Sequence, residues 1–163
     1  HGFNVIGSEE ANKTLLAPAG LIAGPSPTEA NMADIRHAAK VAAATGALDI
    51  GQGCVVCDGL VLAVEAQEGT DEMLRRCAAL PEAIRGTPGA RRGVLAKRPK
   101  PEQERRIDLP TTGVSTVELV AAAGLAGLAV EAGGALLLRR SEMEAAADRL
   151  GVFIYGFAPD TAS

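Results

Sequence analysis

Two stretches of the sequence concentrate the side chains able to do phosphate or metal chemistry. The first is Glu65-Ala66-Gln67-Glu68-Gly69-Thr70-Asp71, which carries three carboxylates where an apolar strand pattern gives way to a helical one. Backbone N–H groups at a helix start attract anions such as phosphate. Carboxylates at the same place suit a hard divalent cation that bridges to phosphate oxygens, so Glu65, Glu68 and Asp71 are candidate metal ligands. The same run also reads as a helix capped by Thr70 with a solvated acidic face.

The second stretch runs from Lys97 to Gly113, KRPKPEQERRIDLPTTG, and places five cations ahead of Asp108. Pro99 and Pro101 stiffen its first part, so lysines there are held at little entropic cost. Lys97 and Lys100 suit phosphate oxygens as point charges, and arginines suit them by fork geometry. Asp108 is followed by Leu109, Pro110 and the hydroxyls Thr111 and Thr112, a pattern for a turn at a sheet edge with hydrogen-bond donors to offer. A charged surface loop is the competing reading. A third feature, Glu131-Ala132-Gly133-Gly134, permits close approach of a ligand and equally reads as a hairpin turn.

These runs must be positioned by a fold, and the rest of the chain bounds which one. The length of 163 residues suits one compact domain that buries its own core. Hydrophobic residues make up 47% but aromatics only 2%, so that core is aliphatic. Phe3–Gly7 is expected to be a strand and Leu15–Gly24 a loop or short strand. Thr28 is expected to cap a helix that ends near Gly46. Cys54–Cys57 and Leu60–Glu65 are expected to be strands joined at Asp58-Gly59, a strong hairpin signal. Helices are expected over Asp71–Ala79, Thr116–Ala123 and Ser141–Leu150, the last capped by Ser141 with Glu144 in the capping-box position. Further strands are expected at Gly93–Ala96, Leu125–Val130, Ala135–Leu138 and Val152–Phe157. Interspersed strands and helices with one hairpin predict an α/β fold, a mixed sheet flanked by helices in a single compact domain.

Several function classes are excluded or disfavoured. The formal charge of −4 gives no support for nucleic-acid binding. No apolar run reaches the ~20 residues of a membrane span, and no signal peptide is visible. Cys54, Cys57 and Cys77 lack framework or zinc-site spacing and read as buried small thiols. No P-loop, dinucleotide GxGxxG, GxSxG or HExxH pattern is present. The cytoplasm is the expected compartment. The chain opens His1-Gly2-Phe3 without an initiator Met, as expected of a fragment.

At these same residues the sequence resembles the C-terminal domain of LpxI-type UDP-2,3-diacylglucosamine pyrophosphatases. The resemblance is carried by Asp49–Gln52, Leu62–Asp71, Gly93–Pro101, Arg106–Gly113 and Ala126–Gly133, in that order, and extends from Phe3 to Phe157. It implies hydrolysis of UDP-2,3-diacylglucosamine to 2,3-diacylglucosamine 1-phosphate (lipid X) and UMP in lipid A biosynthesis, with water attacking the α-phosphorus. It further implies Mg²⁺ or Mn²⁺ as cofactor and Asp108 as the catalytic or metal-linked aspartate. It also implies an N-terminal domain, absent from this chain, with the acylated sugar lying between the two domains; a homodimer; and peripheral contact with the inner membrane. Two other classes stay open at this point. One is a nucleotide- or sugar-phosphate-binding domain without turnover when isolated. The other is a structural or oligomerisation domain, in which Glu65, Asp71, Lys97 and Asp108 would be scattered in space.

Overall fold

The computed structural model describes residues 14–101 and 109–162. The strand expected at Phe3–Gly7 and the candidate Asp108 therefore lie outside the described residues. Among the described residues, the named strands and helices follow in the order β1 (Gly20–Ala23), α1 (Glu29–Ala47), β2 (Gly53–Cys57), β3 (Leu60–Val64), α2 (Gly69–Ala78), β4 (Val94–Lys97), β5 (Thr111–Thr112), α3 (Val114–Ala122), β6 (Gly127–Glu131), β7 (Leu136–Leu137), α4 (Arg140–Leu150) and β8 (Phe153–Phe157). A 3₁₀ turn, Pro159–Ala162, closes the described chain.

Six strands form one mixed sheet in the order β1-β8-β6-β4-β2-β3. Its centre, β4, β6 and β8, is parallel, while β1, β2 and β3 join antiparallel to their neighbours. The α/β fold with a mixed sheet flanked by helices is thus as the sequence predicts. The period-2 alternation of strand side chains sorts the core into two layers. Val55, Leu95, Leu128, Val130 and Ile154 meet α2, α3 and α4 on one face. Cys54, Val56, Val94, Ala96, Ala129, Phe153 and Phe157 meet α1 on the other. The α1 stripe that seats there is Ile35, Ala38, Ala39 and Ala42, small enough for the helix to lie close to the sheet.

Local signals explain most element boundaries. Thr28 caps α1 by a reciprocal box with Asn31, its side chain accepting from the Asn31 N–H at 3.1 Å. Asp58 and Gly59 both take positive φ, the conformation of the tight turn that fits strand twist. That turn is also held from outside: the buried Asp34 carboxylate on α1 accepts from the Asp58 and Gly59 N–H groups at 2.9 and 2.8 Å. Asp34→Ala is expected to lower stability by about 1.5–3 kcal/mol, because two charge-assisted hydrogen bonds are lost and two turn N–H groups lose their acceptor. Urea unfolding checks it; a midpoint equal to that of the unsubstituted protein would refute the tie.

Three expectations are corrected. Ser141 does not cap α4; the helix starts one residue earlier, at Arg140, behind Arg139 in a left-handed conformation and with no side-chain cap. Arg140 pairs with Glu144 instead, at 2.7 Å, which occupies the glutamate that the capping box would need. Gly133-Gly134 is not a hairpin turn, since β7 pairs in parallel with β5 in a separate two-stranded sheet while β6 lies between β4 and β8. Thr70 does not cap α2, whose N-cap position is Glu68, without a side-chain cap bond. The three cysteines are buried and free, as expected. Burial pushes the Cys54 thiol up to about 12 and Cys77 up to about 11, which keeps both protonated and inert.

Candidate functional site: an anion-binding cleft

The parallel strands β4, β6 and β8 all end at one edge of the sheet, and β3, antiparallel to β2, ends there too. In open α/β sheets this carboxyl edge is where ligands bind. Helices α2 and α3 both begin there: α2 follows β3, and α3 follows the segment leaving β4. Each starts without a side-chain cap, so first-turn N–H groups remain for a ligand.

Between the two helix starts lies a cleft of about 440 Å³, lined by residues that include Glu68, Thr70, Asp71, Lys97, Thr112, Ser115 and Thr116. Lys97 ends β4 and is only 5% exposed. Its Nζ donates to Thr70 Oγ1 at 2.7 Å and approaches the Thr111 carbonyl at 3.5 Å. The Thr70 hydroxyl donates in turn to Glu65 Oε2 at 3.0 Å. Burial lowers the Lys97 pKa, while the negative charges of Glu65 and Asp71 act to raise it. The Thr112 Oγ1 is buried and has no hydrogen-bond partner among the described residues. A buried ammonium, an unsatisfied hydroxyl and two uncapped helix starts around one cleft are the chemical features that suit a polyanion of phosphate type.

The structure brings Glu65, Asp71 and Lys97 together around Thr70, and with them Glu68, Thr111 and Thr112. Three of the four charges that a purely structural domain would scatter thus lie together, while the fourth, Asp108, lies outside the described residues. Lys100 is placed elsewhere. It pairs with Asp49 at 2.7 Å and lines a neighbouring hollow of about 250 Å³ with Arg98 and Glu131. Glu68 lines the cleft, but its Oε1 is paired with Arg76 at 2.6 Å and its Oε2 accepts from the Ala66 N–H. Hydrogen bonds from its own N–H and from Arg76 hold its carboxyl below the usual range. Among the described residues, no group of three or more His, Cys, Asp or Glu side chains forms a metal cage. Glu68 and Asp71 are nonetheless hard oxygen donors on the cleft, and Mg²⁺ commonly takes one or two carboxylates plus phosphate oxygens and waters. In that limited sense the donor set fits such a cation.

Sequence reasoning missed Ser115 and Thr116, because their helix was expected to start at Thr116, not at Val114. It also read Thr70 as a cap and passed over the hydroxyl's link to Lys97.

The fold is thus an α/β domain with a cleft, lined by a buried lysine and several hydroxyls, at the carboxyl edge of its parallel strands. The chain belongs to the LpxI C-terminal domain family, whose model matches residues 18–155. It is 56% identical over 158 residues to the UDP-2,3-diacylglucosamine pyrophosphatase LpxI of Caulobacter vibrioides, covering 97% of this chain and 56% of that protein. The chain therefore spans little more than half the length of this relative.

Proposed function

We propose that the full-length protein hydrolyses UDP-2,3-diacylglucosamine to lipid X and UMP, in lipid A biosynthesis, and that this chain supplies the phosphate-binding part of the active site. The observation that carries the reading is the buried Lys97 ammonium, set between two uncapped helix starts in a chain so similar to a pyrophosphatase of that name. The diphosphate lies across the cleft. N–H groups at the starts of α2 and α3 donate to its non-bridging oxygens, together with Thr112. Lys97 neutralises charge that develops on the bridging oxygen as the bond to the α-phosphorus breaks. Water's oxygen ends on UMP, and the bridging oxygen leaves on lipid X. Asp108 takes the proton from the attacking water or helps hold the cofactor.

A divalent cation, Mg²⁺ or Mn²⁺, adds neutralisation of the phosphoryl oxygens when bound. Glu68 and Asp71, the carboxylates on the cleft, would hold it, with Asp108 as a further candidate ligand. An N-terminal domain of the full-length protein covers the acylated sugar. No described helix is long and apolar enough to cross a membrane.

The test is UMP release by purified full-length protein, with and without divalent cation, for the unsubstituted protein and for Asp108→Ala. Release that depends on the cation and falls in Asp108→Ala is the expected result. Calorimetric binding of UMP without any turnover would make this a binding protein. Near-normal turnover by Asp108→Ala would remove that residue from the mechanism.

A further inference from the structure

We propose that Glu65 is a positioning residue that acts through the Thr70 hydroxyl to fix the Lys97 ammonium toward the cleft, and that it is not a metal ligand. The proposal rests on the reading of the cleft as the diphosphate site. It begins from the way the chain seats Glu65. The residue follows β3, and its N–H still donates to the Gly53 carbonyl at 2.9 Å, one step beyond the strand. Both glycines of Gly51-Gln52-Gly53 make room for it. A Cβ at Gly51 would stand 1.9 Å from the Glu65 carbonyl oxygen, and one at Gly53 would stand 2.6 Å from Glu65 Oε2. The carboxylate therefore rests against the backbone of β2, in space that any larger residue would fill.

From that seat Glu65 reaches Thr70. A hydroxyl has one hydrogen to give and lone pairs to accept with. Here the hydrogen goes to Glu65 Oε2 at 3.0 Å, so a lone pair is turned toward the Lys97 Nζ at 2.7 Å. The chain of donors has one direction, ammonium to hydroxyl to carboxylate, and a flipped hydroxyl or a missing acceptor at Glu65 would break it. One of the three Lys97 donors is thus spent on Thr70 and a second leans toward the Thr111 carbonyl. The third is left for a ligand oxygen in the cleft. Glu65 itself does not line that cleft, whereas Thr70 and Lys97 do. It works from behind, as supporting groups do when they set the orientation of a charged group they touch only indirectly.

The experiment uses the full-length protein with Glu65→Gln, Thr70→Val, Thr70→Ser and the Glu65→Gln/Thr70→Val double variant. Glu65→Gln and Thr70→Val are each expected to lower kcat by about tenfold to a hundredfold. KM and the half-saturating Mg²⁺ concentration should stay near those of the unsubstituted protein. The double variant should be no worse than the poorer single one, since both act on the same link, Gln by removing the charge that draws the hydroxyl hydrogen and Val by removing the hydroxyl. Thr70→Ser keeps the hydroxyl and should recover most of the rate. Additive losses, a normal rate in Glu65→Gln, or a large rise in the Mg²⁺ requirement of Glu65→Gln would each overturn the proposal, the last by making Glu65 a ligand. Calorimetric binding of UMP without metal gives a readout independent of turnover. If the unsubstituted protein binds UMP but does not hydrolyse the substrate, the functional reading fails. The link between Glu65 and Thr70 is then still judged by whether their effects on UMP binding are non-additive.

Discussion

Lys97→Met is expected to lower kcat/KM for UMP release about 100- to 1000-fold, the usual cost of deleting one preorganised donor to developing negative charge. The magnitude follows from where the ammonium sits. Lys97 is buried and lines the cleft, so its charge is less screened than that of an exposed lysine. Its partners hold it in place before substrate arrives, so no reorganisation is needed at the moment of reaction. Stability should move little, by about 1 kcal/mol or less. Met nearly conserves the volume and removes the desolvation cost of a buried ammonium, which offsets the lost attraction to Glu65 and Asp71. A folded, equally stable protein with normal kcat/KM would remove Lys97 from the reaction.

The same residue fixes a pH dependence. Burial lowers the Lys97 pKa in the folded protein. In the unfolded chain a lysine holds its proton to about pH 10.4. Between the folded pKa and that value the unfolded state binds more protons, so the contribution of Lys97 to stability rises with pH across that alkaline window. Activity moves the other way. As pH climbs through the depressed pKa the ammonium is lost, and the alkaline limb of kcat/KM falls at lower pH than an exposed lysine would give. In Lys97→Met that limb should disappear from whatever activity remains.

How much of this was legible in the sequence depends on the range of the interaction. Local signals were sufficient where the physics is local. The Thr28 cap and the Asp58-Gly59 turn follow from side-chain and backbone preferences within four residues. Lys97 could be named as a phosphate-binding candidate because it stands where an apolar strand meets stiff, charged chain. The second sheet could not be foreseen. β7 falls within the expected strand Ala135–Leu138, but the two-residue β5 carries no periodicity, and their pairing joins segments far apart in the chain. The role of Thr70 was hidden for a related reason. Its position at a helix start made capping the natural reading, and only the approach of β4 from 27 residues away gives its hydroxyl a different partner. Lys100 shows the converse. Charge and proximity in sequence put it beside Lys97, yet the chain leaving the strand turns it toward Asp49.

Arg98→Met is expected to destabilise the fold by about 3–5 kcal/mol, because it removes one member of a buried ion pair together with that guanidinium's bond to the turn after β8. Glu131 ends β6 and is 1% exposed; Arg98 follows β4 and its side chain is 14% exposed. The two meet at 2.9 Å across neighbouring parallel strands. The same guanidinium donates to the Pro159 carbonyl at 3.2 Å, and the Arg98 N–H donates to the Gln52 carbonyl at 3.0 Å. One residue thus ties together the carboxyl ends of β4 and β6, the turn after β8 and the loop before β2. That is the platform on which Lys97 stands, one position away. Taking out both charges should cost far less than taking out one, since desolvation is then no longer demanded of either. Arg98→Met/Glu131→Met should therefore recover much of the loss. For a chain of this length the single variant should lower Tm by about 10 °C, at roughly 2–4 °C per kcal/mol. Calorimetric unfolding of the two variants checks both values. A single variant as stable as the unsubstituted protein, or a double variant worse than the single one, would show that the pair does not hold the edge of the sheet.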